Sequence, residues 1–498
     1  MNSDRKSVVV VGAGIAGLVT AKVLRDDGFE VAVLEKEPTI GGVWTVSRTY
    51  PGLRTNNSRD TYAFSDHPYD QSTDLFPTAE QVREYLASYV RRFRLAPLIQ
   101  LSTEVIRVSR RARGFEVMVN GPHGRTSLQS DFVVVCAGTF SEPTVPHIRD
   151  PQRFAGTAVH SSQATEAGLV IGKRVVVVGA GKSAVDCATW AAESAQQCTL
   201  VFRAPHWMAP RVLPGGIPID RLVLGRLPES LFRYHRLTGI DRFFHGPAKV
   251  ITRLAWRLTG LLLRLTMGMP AIMVPDQPLP HGVENFGVAP EFYAAVRRGR
   301  VQLRRDEITA FSDDAVTLAS GERVSADIVI FATGWRQTVP FLDPDLASAT
   351  LPDGHFRLYR HIVVPTEQHL GFVGYASSTA CQLTSEVSAH WLSQLFRGTL
   401  TLPPVKDMDA EIQRVQTWLA EVFPARRHGY FVGPCVTHYI DDLLADMGVP
   451  TRRTRNALTE YLAPFLPSRY RDLSPPHRPV DVLETEVDSR VSRHTARR

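Results

Sequence analysis

Cysteine is scarce and unpaired. Cys136, Cys187, Cys198, Cys381 and Cys435 are the five in 498 residues, without CxxC or CxxxxC spacing. That argues against a redox-active disulfide and a cysteine metal site, and for a reducing compartment. Charge of one sign is also modest, 57 Lys+Arg against 50 Asp+Glu, a net +7. Between residues 220 and 274 there are nine Lys/Arg and three acids, so six of the seven surplus charges sit in one segment. No zinc-finger spacing or aromatic RNA-binding signature accompanies them, which argues against a nucleic-acid partner. The opening residues MNSDRKSVVVVGAG run from a short polar lead into a strand pattern, leaving no room for a signal peptide; a cytoplasmic protein is expected. With 44% hydrophobic and 21% charged residues, the chain is long enough for two or three well-filled domains.

What the sequence does contain is a repeat. Val-Val-Val-Val-Gly-Ala-Gly occurs at residues 8–14 (VVVVGAG) and again at 175–181. A second pair, Ser130-Asp-Phe-Val-Val-Val-Cys-Ala-Gly and Ala326-Asp-Ile-Val-Ile-Phe-Ala-Thr-Gly, follows in the same order. Each β-branched run ends in a glycine cluster and then a helical pattern, the signature of a strand buried on both faces of a parallel sheet. The reading is an α/β fold with two dinucleotide-binding, Rossmann-like units. In the first, Gly12, Gly14 and Gly17 fit GxGxxG: a tight turn, a close approach of backbone to pyrophosphate, and close packing of helix on strand. A second strand over 30–34 ends at Glu35, whose carboxylate can accept ribose hydroxyls.

The second unit keeps Gly179 and Gly181, places Ala184 third, and ends its next strand at Arg203 rather than an acid. A carboxylate repels a 2′-phosphate and a guanidinium holds one, so the first unit is expected to bind FAD and the second NADPH. Arg203 has a plainer alternative as a solvated strand-end charge. Ser183 is a candidate phosphate donor or a helix cap, and Lys182 a phosphate-steering or solvated charge. The expected division is 1–150 plus 325–470 for FAD and 151–324 for NADPH, the latter with a helical insert over about 219–274. A polar tail over 474–498 is expected to be mobile.

Taken in order, GxGxxG, Gly41-Gly42-Val43-Trp44, Phe154-Ala-Gly156 with His160, GxGxSA and Phe331-Ala-Thr333-Gly334-Trp335 resemble the flavin-containing monooxygenases, in the wider group that includes Baeyer-Villiger monooxygenases. The resemblance spans about residues 8–448 and includes Leu370-Gly-Phe-Val-Gly374, Glu386 and Trp391. It implies that NADPH reduces the flavin, that O₂ gives a flavin hydroperoxide, and that this oxygenates a small lipophilic substrate. It also implies that Gly41 and Gly42 bring backbone to FAD, and that Thr333 and Gly334 mark the return crossover near the flavin. Trp44 lies beside the flavin or is a buried core residue. His160 reads as an interdomain hinge ahead of an acid–base group.

Tyr50-Pro-Gly-Leu-Arg54-Thr-Asn56 mixes two patterns. YPGxR resembles the Baeyer-Villiger group, while Asn56 stands where the flavin-containing monooxygenases carry an asparagine beside the flavin. A neutral amide donates to a peroxide oxygen without a charged group's field, so the expectation is oxygenation at nitrogen or sulfur. The alternative is conversion of a ketone to an ester or lactone, and the plain reading of Asn56 is a turn residue. Ala164 stands where both groups carry an aromatic after the linker. A pyridine-nucleotide disulfide reductase and a non-catalytic nucleotide sensor are the readings from other classes.

In the insert, residues 250–265 form an amphipathic helix. At about 100° per residue Arg253, Arg257 and Arg264 make one stripe, with Ile251, Leu254, Leu258, Leu261, Leu262 and Leu265 on much of the other side. The charges interrupt the roughly 20 apolar residues of a membrane span. Three roles are open to it: a lid or packed helix, a subunit interface, or peripheral contact with an anionic membrane.

Overall fold

The computed structural model describes residues 5–213, 215–281, 290–423 and 432–473. The expected tail from 474 onward lies outside the described residues.

Two sheets carry the repeat, the second all parallel and the first parallel except for its edge strand 363–364, which runs antiparallel to 367–372. In the first, strands run in the spatial order 363–364, 367–372, 132–135, 7–11, 30–34, 99–100. Strand Ser7–Val11 pairs in parallel on one side with Glu30–Leu34 and on the other with Phe132–Val135, Val10 facing Val33 and Val134. The second sheet runs 302–305, 197–202, 174–178, 328–331, 157–160, all parallel. Its core repeats the first: 174–178 stands between 197–202 and 328–331, as 7–11 stands between 30–34 and 132–135. Each unit also carries a three-stranded antiparallel sheet just before its third core strand, over 104–130 and 308–325.

These strands form because β-branched residues covered on both faces lose the most water. Val8, Val9 and Val10 are 3% exposed or less, each worth about 1.5–3 kcal/mol of burial. Helix Ile15–Asp26 follows the first glycine turn and buries Leu18, Val19, Ala21 and Leu24. Helix Ala79–Arg92 starts on a capping box in which Thr78 and Gln81 exchange side-chain and backbone hydrogen bonds, satisfying two otherwise orphaned N–H groups.

One expected boundary moves. The sequence division returned the chain to the first unit at 325, but Ile328–Phe331 is an inner strand of the second sheet, with Val177 opposite Ile330. The second unit therefore reaches at least Phe331. The return runs through Trp335–Arg336, which pairs antiparallel with Glu142–Pro143 on the outgoing crossover. The insert folds as helices Asp220–Val223, Arg226–Glu229, Gly239–His245 and Lys249–Met267. It docks on the C-terminal helices through buried ion pairs. Arg226 bridges Asp441 and Glu460, and His438 lies between Glu229 at 2.6 Å and Asp241 at 2.9 Å.

Candidate active site

The first glycine turn is shaped by backbone contact. A Cβ on Gly17 would stand 1.8 Å from the Gly12 carbonyl, and one on Gly12, at φ +106°, would stand 2.7 Å from the Cys136 carbonyl. Only glycine lets the helix press onto the strand here. Gly41 and Gly42 lie along the same turn: Gly41 donates to the Ala13 carbonyl at 3.0 Å, and a Cβ on Gly42 would come within 3.2 Å of Gly14 Cα. The buried Glu35 carboxylate accepts from Ala13 N–H at 2.7 Å and Glu37 N–H at 2.9 Å. A carboxylate has about four acceptor positions, so about two remain for ribose hydroxyls. The turn, the strand-end acid and the backbone pair thus fit an adenine dinucleotide.

In the second unit Gly179, at φ +128°, would place a Cβ 2.3 Å from the Ala332 carbonyl, whereas a Cβ on Gly181 would meet open space. Arg203 is exposed just beyond strand Gln197–Phe202, whose Val201 carbonyl accepts from Gly179 N–H at 2.9 Å. A guanidinium at the strand end beside the glycine turn fits a nucleotide carrying a 2′-phosphate. Ser183 does not cap its helix; its hydroxyl lies 3.5 Å from Tyr50 Oη. Lys182 is not solvated, since it is paired with Asp186 and shielded from water. Tyr50, of the first unit, donates to Asp186 at 2.9 Å. Burial and that carboxylate raise the Tyr50 pKa well above its ordinary value, keeping the phenol a donor.

The crossovers meet at His160. Its Nε2 lies 3.2 Å from the Gly334 carbonyl, its Nδ1 lies 2.9 Å from Ser162 Oγ, and Trp335 packs edge-on at 4.8 Å. The carbonyl contact assigns the proton to Nε2. Burial lowers the His160 pKa, opposed by the Gly334 hydrogen bond, so the ring is neutral and tied to the crossover, as a hinge residue would be. Thr333 Oγ1 donates to the Thr144 carbonyl, and Thr144 N–H donates to Gly334 at 2.9 Å. Trp44 is buried, and its Nε1 donates to Tyr62 Oη at 3.2 Å.

Asn56 is exposed between buried neighbours Thr55, Asn57 and Ser58. Those neighbours are tied down. Thr55 Oγ1 donates to the Asn57 carbonyl at 2.8 Å, and Asn57 Nδ2 to the Thr379 carbonyl at 2.9 Å. Ser58 gives its N–H (2.9 Å) and hydroxyl (2.7 Å) to Asp220 Oδ2, which also accepts from Thr61. Asp220 comes from the insert, so this segment clamps the loop that presents Asn56. A little further on, Ser65 N–H donates to Glu386 at 2.9 Å. Burial pushes the Glu386 carboxyl up to about 7, against the pull of that hydrogen bond.

The structure therefore gathers Gly12, Gly14, Gly17, Glu35, Gly41 and Gly42 at one turn, Gly179 and Gly181 at the other, and His160, Thr333 and Gly334 at the crossover. Arg203 is exposed at the strand end beside the second turn, and Asn56 stands exposed on a separate loop. Sequence reasoning missed Tyr50, Asp186 and Asp220. Tyr50 lay inside a quoted motif without a role, and Asp186 is one turn beyond Lys182 on the helix after the glycines. For Asp220 no local pattern announces a partner 162 residues away.

A family model for flavin-binding monooxygenase-like proteins matches residues 5–462. A probable flavin-containing monooxygenase 1 of Arabidopsis thaliana is 28% identical, over 93% of this chain and 96% of its own. Among solved structures, S-allyl-L-cysteine S-oxygenase from Allium sativum superposes with a TM-score of 0.63 at 22% identity, covering 90% of this chain and 89% of that one. Cyclohexanone monooxygenase from Rhodococcus sp. Phi1 bound to NADP+ superposes with a TM-score of 0.67 at 19% identity, covering 89% and 97%. With twin dinucleotide folds and a family match over nearly its whole length, the chain belongs to the flavin-binding monooxygenase-like family and is an enzyme of that class.

Proposed function

We propose that this enzyme binds FAD at the first glycine turn and NADPH at the second, and uses O₂ to oxygenate a small lipophilic substrate at nitrogen or sulfur. One oxygen atom enters the substrate and the other leaves as water, with NADPH supplying the two electrons. The observation that carries this reading is Asn56, a neutral amide exposed on a loop whose neighbours are buried and clamped. FAD, when bound, supplies electron acceptance from NADPH and activation of O₂. The protein's part is positional. Gly14, Gly41 and Gly42 admit the pyrophosphate backbone to backbone, Glu35 holds the ribose, and Arg203 selects the phosphorylated coenzyme. Asn56 offers an N–H donor without net charge, and Asp220 holds its loop still. His160 ties the crossovers so that the two glycine turns keep their relative placement.

Baeyer-Villiger oxidation of a ketone is the second reading, favoured by Tyr50-Pro-Gly-Leu-Arg54 and by the likeness to cyclohexanone monooxygenase. A disulfide reductase is disfavoured: all five cysteines are free thiols, and burial pushes Cys136 up to about 12 and Cys381 up to about 11. Incubation with NADPH and a panel of amines, sulfides and ketones, with products read by mass spectrometry, tests the proposal. Amine or sulfide oxides formed in step with NADPH consumption support it. Esters or lactones as the main products move the assignment to the second reading, and consumption that never responds to any substrate removes both. Asn56→Asp should lower product per NADPH and raise hydrogen peroxide; unchanged coupling would take Asn56 out of the site.

A further inference from the structure

The insert helix Lys249–Met267 is packed on one side only. Its inward stripe is Thr252, Gly260, Leu263 and Met267, all buried. A Cβ on Gly260 would stand 3.3 Å from the Trp207 ring, and Trp256 packs on Phe232 at 4.7 Å. On the outward side Ile251, Leu254, Leu258, Leu261, Leu262 and Leu265 are between 51% and 67% exposed. At about 100° per residue these six fill an arc of about 100° whose centre lies nearly opposite the inward stripe. A contiguous apolar strip of this size on a packed helix marks a surface that meets something apolar.

Charge says what that is. Arg253, Arg257 and Arg264 run as a stripe along one edge of the apolar arc, and among the described residues none of the three forms an ion pair. Guanidiniums at the border of an apolar face, with alkyl stems lying along it, suit the phosphate level of a bilayer interface. The wider insert carries most of the chain's positive surplus, which an anionic surface attracts. No described helix is long and apolar enough to cross a membrane. The helix is also held rigidly, since the insert is fastened to the C-terminal helices by the Arg226 and His438 ion pairs. Its exposed leucines therefore belong to a firmly mounted face.

We propose that Lys249–Met267 is a monotopic docking helix, lying in the plane of an anionic bilayer with its leucine face among the acyl chains and its arginines at the headgroup phosphates. This is independent of which atom the enzyme oxygenates.

The test is co-sedimentation of the whole protein with vesicles of phosphatidylcholine alone and of phosphatidylcholine mixed with phosphatidylglycerol, at low and high salt. Two variants accompany the wild type: Leu258→Gln with Leu262→Gln, which leaves the charge unchanged, and Arg253→Gln with Arg257→Gln and Arg264→Gln. The wild type should sediment with the anionic vesicles, less so as salt screens the arginines. The leucine pair should weaken that partition tenfold or more, and the arginine variant should lose its preference for anionic over neutral vesicles. All substituted side chains are exposed, so circular dichroism and substrate-free NADPH oxidation should match wild type. Absence of binding to anionic vesicles overturns the proposal. So does undiminished binding of the leucine variant, which would reduce the effect to net charge. A dimer in solution that the leucine variant splits, with no vesicle binding by either form, overturns it in favour of a second copy of this chain.

Discussion

Asp220→Asn probes how the insert controls the site without touching either glycine turn. One carboxylate oxygen of Asp220 receives three donors, Ser58 N–H, Ser58 Oγ and Thr61 Oγ1, and the residue is 3% exposed. Hydrogen bonds to a charged acceptor are worth about 1.5–3 kcal/mol each and neutral ones about 0.5–1.5. Asparagine can keep its oxygen in the same place but not the charge, so each bond weakens by about 1 kcal/mol. The loss is about 3 kcal/mol in all, on the order of a hundredfold in the equilibrium between clamped and released loop. Amide hydrogen exchange across residues 55–61 should therefore quicken by up to about a hundredfold, while exchange in strand Ser7–Val11 stays put. If the clamp positions Asn56, the same variant should release more hydrogen peroxide per NADPH consumed, with flavin content and the Michaelis constant for NADPH unchanged. Unaltered exchange in a folded variant would refute the clamp. Faster exchange with unaltered coupling would keep the clamp and sever it from chemistry.

Arg203→Ala should raise the Michaelis constant for NADPH roughly tenfold or more and leave that for NADH nearly unchanged, since one charge-assisted contact of about 1.5–3 kcal/mol is lost; equal effects in steady-state kinetics would deny the phosphate role. Gly17→Ala should yield protein without the flavin absorbance, because its Cβ would collide with the Gly12 carbonyl 1.8 Å away, and a yellow variant would contradict that geometry. His438 supplies the pH prediction. Burial opposes its charge, but the Glu229 and Asp241 carboxylates carry its pKa up to about 10 from 6.5. A pKa raised on folding stabilises fully below the unfolded value and is lost as pH rises through the folded one. At about 1.4 kcal/mol per unit the native state should lose up to about 5 kcal/mol between pH 6.5 and 10. His438→Gln should already be less stable by about 3–5 kcal/mol near neutrality, with a flatter profile; parallel wild-type and variant curves in denaturant melts would dismiss the ion triad.

The twin α/β units were legible in the sequence because their signal is local. A buried parallel strand must be apolar along its length, the turn after it must admit backbone contacts, and both demands fall on consecutive residues such as 8–17 and 175–184. Gly12, Gly17 and Gly179 are glycine for reasons the structure makes steric, and Glu35 and Arg203 stand at strand ends counted from those turns. Even the second repeat, 130–138 with 326–334, already held the clue that Ile328–Phe331 belongs to the second sheet as Phe132–Val135 belongs to the first. The expected boundary at 325 overlooked it, because chain order gives no sign of which sheet a strand joins.

What only the tertiary structure decided depends on contacts between residues far apart in the chain. Helical periodicity predicted two faces for residues 250–265 but could not say which one faces the protein; packing buried the Gly260 and Leu263 side and left the leucine face bare. Asp220 clamps a loop 162 residues earlier, Tyr50 meets Asp186 across two units, and His438 charges itself between two acids of the insert. A local pattern encodes which backbone form a segment takes and how much water it sheds. The partner of a buried charge is set by how the elements stack, and that information is spread over the whole chain.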